Sequence, residues 1–163
     1  MLRDQEQQQV GILVADIRRR IRQVVHAEAR GHRLAPQQFW VLLAVAEAGP
    51  LSLGALSDRL PIDPPTASRV VASLTRRRLV RMAEDPQDRR RLLIAPTAEG
   101  AELAARLRPL ARDVREAVIA GFTPSELAAL RASLRRILEN LDRFEARRSR
   151  RPARVAAGRE ERP

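Results

Sequence analysis

Two short helical patterns followed directly by a basic hairpin pattern constrain the fold of this chain more than any other feature. Residues 53–60 carry leucines on one helical face, and the turn Pro61–Asp63 separates them from a second helical pattern. Asp63 is a preferred helix N-cap and Pro64 suits the first helical position, so we predict a helix from there to about Arg77. Two such helices ahead of a hairpin predict a winged helix-turn-helix.

The second of these helices has two faces of different character. At about 100° per residue, the apolar side chains share one face and the small or polar ones share the other. The apolar face comprises Ala67, Val70, Val71 and Leu74, and the opposite face comprises Pro65, Arg69, Ala72 and Arg76, flanked by Thr66, Ser68 and Ser73. A small, polar face with two guanidinium groups can approach the major groove of duplex DNA closely. An ordinary solvated helix face carries the same residue types and is the alternative.

The segment 79–95 predicts a β-hairpin with a basic second arm. Its two halves alternate partly and surround Asp85–Asp88, whose composition is typical of a turn. The arm carries three consecutive arginines, Arg89, Arg90 and Arg91. In a winged helix-turn-helix such an arginine can enter the adjoining minor groove, where the negative potential is strong. Because phosphates repel a carboxylate, we expect Asp88 to cap the turn or to hold an arginine.

Helical patterns flank this central region on both sides. A narrow apolar seam runs from Gln5 to about Arg30, and a helix from Pro36 to about Ala48 follows it. After the hairpin, Thr97 caps a helix that is expected to kink at Pro109. The capping box Thr123–Glu126 opens a last helix, which again carries a narrow seam.

We predict that the two terminal helices pair with their copies from a second chain. Their apolar seams are too narrow for full burial in a monomer. A dimer would place its two DNA-binding domains, here called reading heads, about one turn of DNA apart. The alternative is that the seams pack within one chain against the kinked helix. From about Arg147 the chain lacks apolar periodicity, which predicts a disordered basic tail, either a phosphate-seeking arm or solvated chain.

Composition narrows the class of function. The 31 basic residues are all arginine and exceed the 20 acidic residues by 11, which favours an anionic partner, with nucleic acid ahead of a membrane surface. The four aromatic residues are too few for a single-strand reader, so duplex DNA fits better. No cysteine is present, histidines are limited to His26 and His32, and glycines are scattered, so we expect no enzyme, cofactor or metal site. The longest apolar run is too short to span a bilayer and no secretion signal is apparent, which predicts a cytoplasmic protein with no membrane partner.

Residues 34–103 resemble the core of the MarR (multiple antibiotic resistance regulator) family of transcription factors. The resemblance is carried by LAPQQFWVLLAVAEAGPLSLGALSDRL, by IDPPTASRVVASLTRRRLV, and by the wing DPQDRRRLLIAPTAEG with its Thr-x-x-Gly. The flanking seam helices extend it to roughly residues 5–145. The resemblance implies DNA contacts by Thr66, Ser68 and Arg69 on the recognition helix, and wing roles for Asp88 and Arg90.

Three positions depart from the family pattern. Arg78 stands where the family usually has glycine, which puts the left-handed cap after the recognition helix in doubt. Ala35 replaces the usual serine or threonine before Pro36, and the lost N-cap bond is worth about 1 kcal/mol. Gln87 stands where the wing often has arginine, so the minor-groove contact has one charge fewer.

Members of the similar family commonly sense small anionic or aromatic molecules between the dimer helices and the reading head. The residues expected near such a crevice are His26, Arg30, His32, Phe39 and Trp40. Each also has a simpler interpretation, because Phe39 and Trp40 are typical of a core and His26 of a helix surface.

The predicted fold is mainly α, a winged helix-turn-helix with a β-hairpin wing and long N- and C-terminal dimerisation helices. The predicted segments are a dimerisation helix at 5–34, a DNA-binding domain at 35–97, a linker and dimerisation helices at 98–146, and a basic tail at 147–163. The predicted DNA-binding residues are Ser52, Pro65, Thr66, Ser68, Arg69, Ser73, Arg76, Arg89, Arg90 and Arg91. The predicted function is a homodimeric repressor that binds a pseudo-palindromic operator in double-stranded DNA under small-molecule control. The alternative is a non-specific architectural or protein-interaction module.

Overall fold

The structure is a computed structural model that describes residues 2–149, with side chains from Gln9 onward. Its helices are α1 (Leu2–Ala29), a short 3-10 helix (Arg30–His32), α2 (Pro36–Ala48), α3 (Leu53–Arg59), α4 (Pro64–Arg76), α5 (Ala98–Ile119) and α6 (Pro124–Ser149). Its strands are β1 (Leu51–Ser52), β2 (Val80–Glu84) and β3 (Leu92–Pro96). Two compact units divide after Val118, and the first contains all three strands. The mainly α, winged helix-turn-helix class predicted from the sequence is confirmed.

Local sequence signals fix the starts of the three helices in the central region. The Ser52 hydroxyl accepts the Ala55 N–H at the start of α3, and the Asp63 carboxylate accepts the Thr66 N–H at the start of α4. The methyl side chain of Ala35 cannot accept a hydrogen bond, but the Ala35 N–H donates to Gln38 Oε1 at 2.8 Å. Helix α2 therefore retains half of a capping box.

The three strands form one antiparallel sheet in the order β1-β3-β2. In the hairpin, Val80 pairs with Pro96 and Glu84 pairs with Leu92. Strand β1 was not predicted; it pairs Leu51 with Ile94, the middle residue of β3, and joins the hairpin to the residues just before α3. The wing is therefore attached to the helix-turn-helix through β1 as well as through the chain that leads from α4 into β2.

The core of the first unit lies between the C-terminal part of α1, helices α2 to α4, the sheet and much of α5. Its largest fully buried side chains are Phe39, Leu42, Leu56, Leu74, Ile94, Val25, Val41, Val45, Val71 and Val80. The four residues predicted for the apolar face of α4 are its buried residues. The opposite face of α4 is thereby turned outward.

The segment Thr97–Gly100 locks the start of α5 onto the base of the wing. The Thr97 hydroxyl donates to the Arg78 carbonyl oxygen at 2.6 Å and accepts the Gly100 N–H at 3.0 Å, while the Thr97 N–H donates to the Leu79 carbonyl oxygen at 3.1 Å. A Cβ on Gly100 would lie 1.8 Å from the Leu79 oxygen. This close approach explains why glycine follows the threonine at that spacing.

Helix α4 ends in a left-handed turn although glycine is absent. Arg78 has φ +58°, its N–H donates to the Thr75 carbonyl, and the Leu79 N–H donates to the Leu74 carbonyl, which is the Schellman pattern. The doubt raised by Arg78 is therefore resolved: the cap forms, and arginine adopts the left-handed conformation at a cost of about 1 kcal/mol.

The apolar seams of the terminal helices are exposed in the chain. On α1, Leu13 and Ile17 are 60% and 53% exposed, and α6 has no buried residue. Helix α6 continues through Ser149, so the first three residues of the predicted tail are helical, and 150–163 lie outside the described residues. Pro109 lies inside α5, and a kink there stays a prediction.

Candidate nucleic-acid interface

A chain of side-chain hydrogen bonds orients Arg69 at the start of α4. The Thr66 hydroxyl donates to Asp63 Oδ2 at 2.8 Å and accepts from Arg69 Nη2 at 3.0 Å. The Thr66 N–H and hydroxyl, followed by the nearby Arg69 charge, hold the pKa of Asp63 below its ordinary value. The guanidinium of Arg69 is therefore anchored on one edge, and its remaining N–H groups face solvent.

This geometry changes how Thr66 is interpreted. Its single O–H is committed to Asp63, so in this structure Thr66 orients Arg69 and has no proton left to offer to a phosphate. A direct DNA contact by Thr66 stays a prediction. By contrast, Pro65, Ser68 and Arg76 are exposed on the same outward face.

Ser73 is half-buried and tied to α2. Its hydroxyl oxygen accepts from Gln38 Nε2 at 2.7 Å, and Gln38 Oε1 accepts the Ala35 N–H. The amide of Gln38 thus bridges the N-terminus of α2 and the C-terminal half of α4. Sequence analysis missed this role, although glutamine at the third helical position was a visible signal of a capping box.

The bridge lies beside a cleft of about 390 Å³ between the N-terminal part of α2 and the outward face of α4. Its lining residues are Ala35, Gln37, Gln38, Thr66, Arg69, Val70 and Ser73. The cleft opens on the same surface as the guanidinium of Arg69. Ser52, also predicted to bind DNA, is half-buried and is used as the N-cap of α3.

Two Asx turns shape the tip of the wing. Asp85 Oδ1 accepts the Gln87 N–H at 2.9 Å, and Asp88 Oδ1 accepts the Arg90 N–H at 3.0 Å. The expectation that Asp88 caps the turn is confirmed. The arginines at positions 89, 90 and 91 are all exposed.

Among the described side chains, the arginines of the α4 face and of the wing tip have no carboxylate at salt-bridge distance, although the charge of Arg69 acts on nearby Asp63. The salt bridges in that part of the chain engage Arg19, Arg112 and Arg143 with nearby carboxylates. A surface of exposed guanidinium groups on one small unit attracts a polyanion.

The five residues predicted near a ligand crevice are placed differently from one another. Phe39 is fully buried and packs edge-on against the half-buried Trp40, with ring centroids 4.9 Å apart, whereas His26, Arg30 and His32 are exposed. Phe39 is therefore part of the core. None of the five lines the cleft between α2 and α4, and ligand binding by them stays a prediction.

Among the side chains of residues 9–149, no group of three or more histidine, cysteine or acidic residues could hold a metal ion. No helix within residues 2–149 is long and apolar enough to cross a membrane.

The fold, the outward polar face of α4 and the arginine-tipped wing define a winged helix-turn-helix protein of the DNA-binding class. Residues 34–91 match the model of the MarR family. An uncharacterized HTH-type transcriptional regulator of Mycobacterium bovis is 31% identical over 64% of this chain and 73% of that protein. The chain belongs to the MarR family of transcription regulators.

Two other relatives are similar over most of the chain. The HTH-type transcriptional repressor NicR of Pseudomonas putida is 29% identical over 82% of this chain and 84% of that protein. The solved structure of Bordetella bronchiseptica BpsR, described in terms of regulation of its DNA binding by 6-hydroxynicotinic acid, is 29% identical. It covers 78% of this chain and 91% of that one with a TM-score of 0.67. The relatives are regulators rather than enzymes.

Proposed function

We propose that this protein is a homodimeric repressor that binds a pseudo-palindromic operator in double-stranded DNA. In this proposal, residues 35–97 form the reading head, while 5–34 and 98–146 provide dimerisation. Helix α4 lies in the major groove and the wing tip reaches the adjoining minor groove. The observation that best supports this proposal is the pair of hydrogen bonds that links Asp63, Thr66 and Arg69. These bonds orient the guanidinium of Arg69 on the exposed face of the first turns of α4.

The reading head has two kinds of contact to offer. Arg69 and Ser68 project from the N-terminal half of α4, the part that meets base edges in helix-turn-helix proteins. Arg89, Arg90 and Arg91 lie at the wing tip, and a guanidinium suits a narrow, negative minor groove. No catalytic role or cofactor is assigned, and we place the protein in the cytoplasm because its proposed target is operator DNA.

Binding to duplex DNA tests the proposal directly. Fluorescence anisotropy with the DNA upstream of the protein's own operon, and with a random duplex of equal length, gives the specificity ratio. Arg69→Ala and Arg90→Ala are each expected to weaken binding at least fivefold, because each removes an exposed guanidinium from the interface. Arg19→Ala is the matched control: it also removes one positive charge, but from a residue paired with Asp16 on α1.

Two outcomes would reject this function. If neither Arg69→Ala nor Arg90→Ala weakens binding beyond the Arg19 control, the interface is wrong. If operator and random duplex bind equally, the protein is an architectural DNA-binding module instead of a regulator.

The exposed seams support the dimer. On α1 the side chains of Val10, Leu13, Val14 and Ile17 are all between 46% and 60% exposed, and four leucines of α6 are between 41% and 61% exposed. A monomer leaves this apolar surface in water at a cost of roughly 25 cal/mol per Å². The interpretation in which the seam of α1 packs within the chain is therefore disfavoured.

We further propose that a small aromatic carboxylate modulates operator binding. The support is the likeness to BpsR, whose DNA binding is regulated by 6-hydroxynicotinic acid, together with the arginine and histidine side chains after α1. A thermal-shift screen of hydroxylated pyridine and benzene carboxylates, followed by anisotropy with the operator, tests it. Compounds that change neither stability nor affinity would refute ligand control and leave DNA binding standing.

A further inference from the structure

The first unit contains a second bridge to α4, made by an arginine just after that helix. Arg77 follows the last residue of α4 and is half-buried. Its Nη1 donates to the Arg33 carbonyl oxygen at 2.7 Å, and its Nη2 donates to the His32 carbonyl oxygen at 3.0 Å. The two carbonyls lie more than forty residues earlier in the chain, at the junction between α1 and α2.

The accepting carbonyls are well suited to a cation. His32 is the last residue of the 3-10 helix that continues α1, and Arg33 is its C-cap. The last carbonyl groups of a helix lack intrahelical partners, and the helix dipole is negative there. Arg33 has φ +54°, and the Leu34 N–H donates to the Ala29 carbonyl, so the junction is a left-handed corner like the one that ends α4. A planar guanidinium can serve both carbonyls at once, which a lysine ammonium on a single stem does less well.

Arg77 therefore joins two fixed corners. One corner ends α1 and buries Leu34, and the other ends α4 and buries Leu79. Together with the Gln38–Ser73 bond one turn earlier, the bridge ties the C-terminal half of the recognition helix to the start of α2 and to the end of α1. These two polar ties restrict how that end of the helix can pivot on its buried apolar face.

We propose that Arg77 is a positioning residue that sets the direction of the recognition helix against the end of the first helix, without touching DNA. This inference rests on the proposed DNA-binding function. It assigns different roles to three consecutive arginines: Arg76 is exposed and available to DNA, Arg77 bridges to the α1 end, and Arg78 forms the left-handed corner.

The dependence of binding on salt separates positioning from contact. Each phosphate contact contributes about −0.9 to the slope of log K against log salt concentration. Arg77→Ala is expected to weaken operator binding about tenfold and to leave this slope unchanged within 0.3. The neighbouring variant Arg76→Ala is the matched control, and its slope is expected to become shallower by about 0.9.

The ratio of operator to random-duplex affinity gives a second readout. Misdirecting α4 harms base reading more than general attraction to phosphates, so Arg77→Ala should lower this ratio about fivefold, while Arg76→Ala should weaken both duplexes together. Arg77→Lys keeps the charge but not the paired donors, and we expect it to recover less than half of the lost affinity. Circular dichroism shows whether Arg77→Ala folds. If it does not fold, Arg77→Lys provides the test of the bridge in its place.

Three results would overturn the inference. A slope that falls in Arg77→Ala as it does in Arg76→Ala would make Arg77 a phosphate contact. Wild-type affinity in Arg77→Lys would show that charge alone matters, and wild-type affinity in Arg77→Ala would show that the bridge is dispensable. Failure of the proposed function is distinct, because it would appear as intact binding in Arg69→Ala and Arg90→Ala.

Discussion

The contact between Gly100 and the Leu79 carbonyl makes a sharp prediction for Gly100→Ala. The added Cβ would lie 1.8 Å from the Leu79 oxygen and 2.8 Å from its carbon. An ordinary carbon–oxygen contact is about 3.3 Å, so the start of α5 must move by about 1.5 Å. Backbone atoms on both sides of the contact leave no flexible side chain to yield.

The magnitude follows from what that movement breaks. A shift of this size separates Thr97 from the carbonyls of Arg78 and Leu79, two hydrogen bonds worth about 1 kcal/mol each. Loosened packing of Leu103 adds about 1–2 kcal/mol, and the better helix propensity of alanine returns up to about 1 kcal/mol. The expected loss in the free energy of unfolding is about 2–4 kcal/mol, or roughly 5–15 °C in Tm for a chain of this size.

Urea unfolding at fixed protein concentration measures this loss, with circular dichroism and the fluorescence of Trp40, the single tryptophan, as independent probes. Gly54→Ala is the matched control, because its new Cβ would meet only the Ser52 hydroxyl at 3.9 Å. That variant should be neutral or slightly more stable. If Gly100→Ala unfolds within about 0.5 kcal/mol of wild type, the close approach is not a feature of the folded protein.

Three further predictions concern the corner after α4, the cap of α4 and the seam of α1. Arg78→Gly should stabilise the protein by about 0.5–1 kcal/mol in urea unfolding, since it relieves positive φ, whereas Arg78→Ala keeps the strain and should gain nothing. Folding lowers the pKa of Asp63, so the ionised Asp63 carboxylate stabilises the folded protein. This stabilisation is complete above the pKa that Asp63 has in the unfolded chain, near 4, and is lost as the pH falls through the lower pKa of the folded state. Asp63→Asn caps without a charge, so below about pH 4 its urea midpoint should fall less steeply than that of wild type; parallel curves would contradict the capping role. Ile17→Glu should lower the mass by light scattering from twice 18.3 kDa to 18.3 kDa with helicity retained, and a persistent dimer would place the interface elsewhere.

The elements that the sequence predicts well are those with local signals. Helix α2 begins and ends where Pro36 and Gly49 indicate, and α4 begins at the Asp63–Pro64 cap. Helical periodicity predicts the buried face of α4, and the aspartates of the wing predict its turn. Each of these depends on residues within a few positions of one another.

What sequence analysis missed depends on residues far apart in the chain. Strand β1 has two residues and exists because Leu51 meets Ile94, which no local pattern encodes. The bonds from Gln38 to Ser73 and from Arg77 to the α1 end are formed only once the helices are packed. The left-handed Arg78 shows tertiary packing overriding conformational preference, because burial of Leu79 beyond the corner outweighs the strain of about 1 kcal/mol.

The construction of the wing has a mechanical consequence. Its stem is clamped by β1 and by Thr97, whereas its end is closed on itself by the Asp85 N–H to the Arg91 carbonyl and by the Arg91 N–H to the Asp88 carbonyl. The loop from 85 to 91 is thus held together by its own hydrogen bonds at the end of a two-stranded ribbon. When the ribbon bends, its arginines travel as a set with their mutual spacing intact, so the two wings of a dimer could follow half-sites of unequal groove width without refolding.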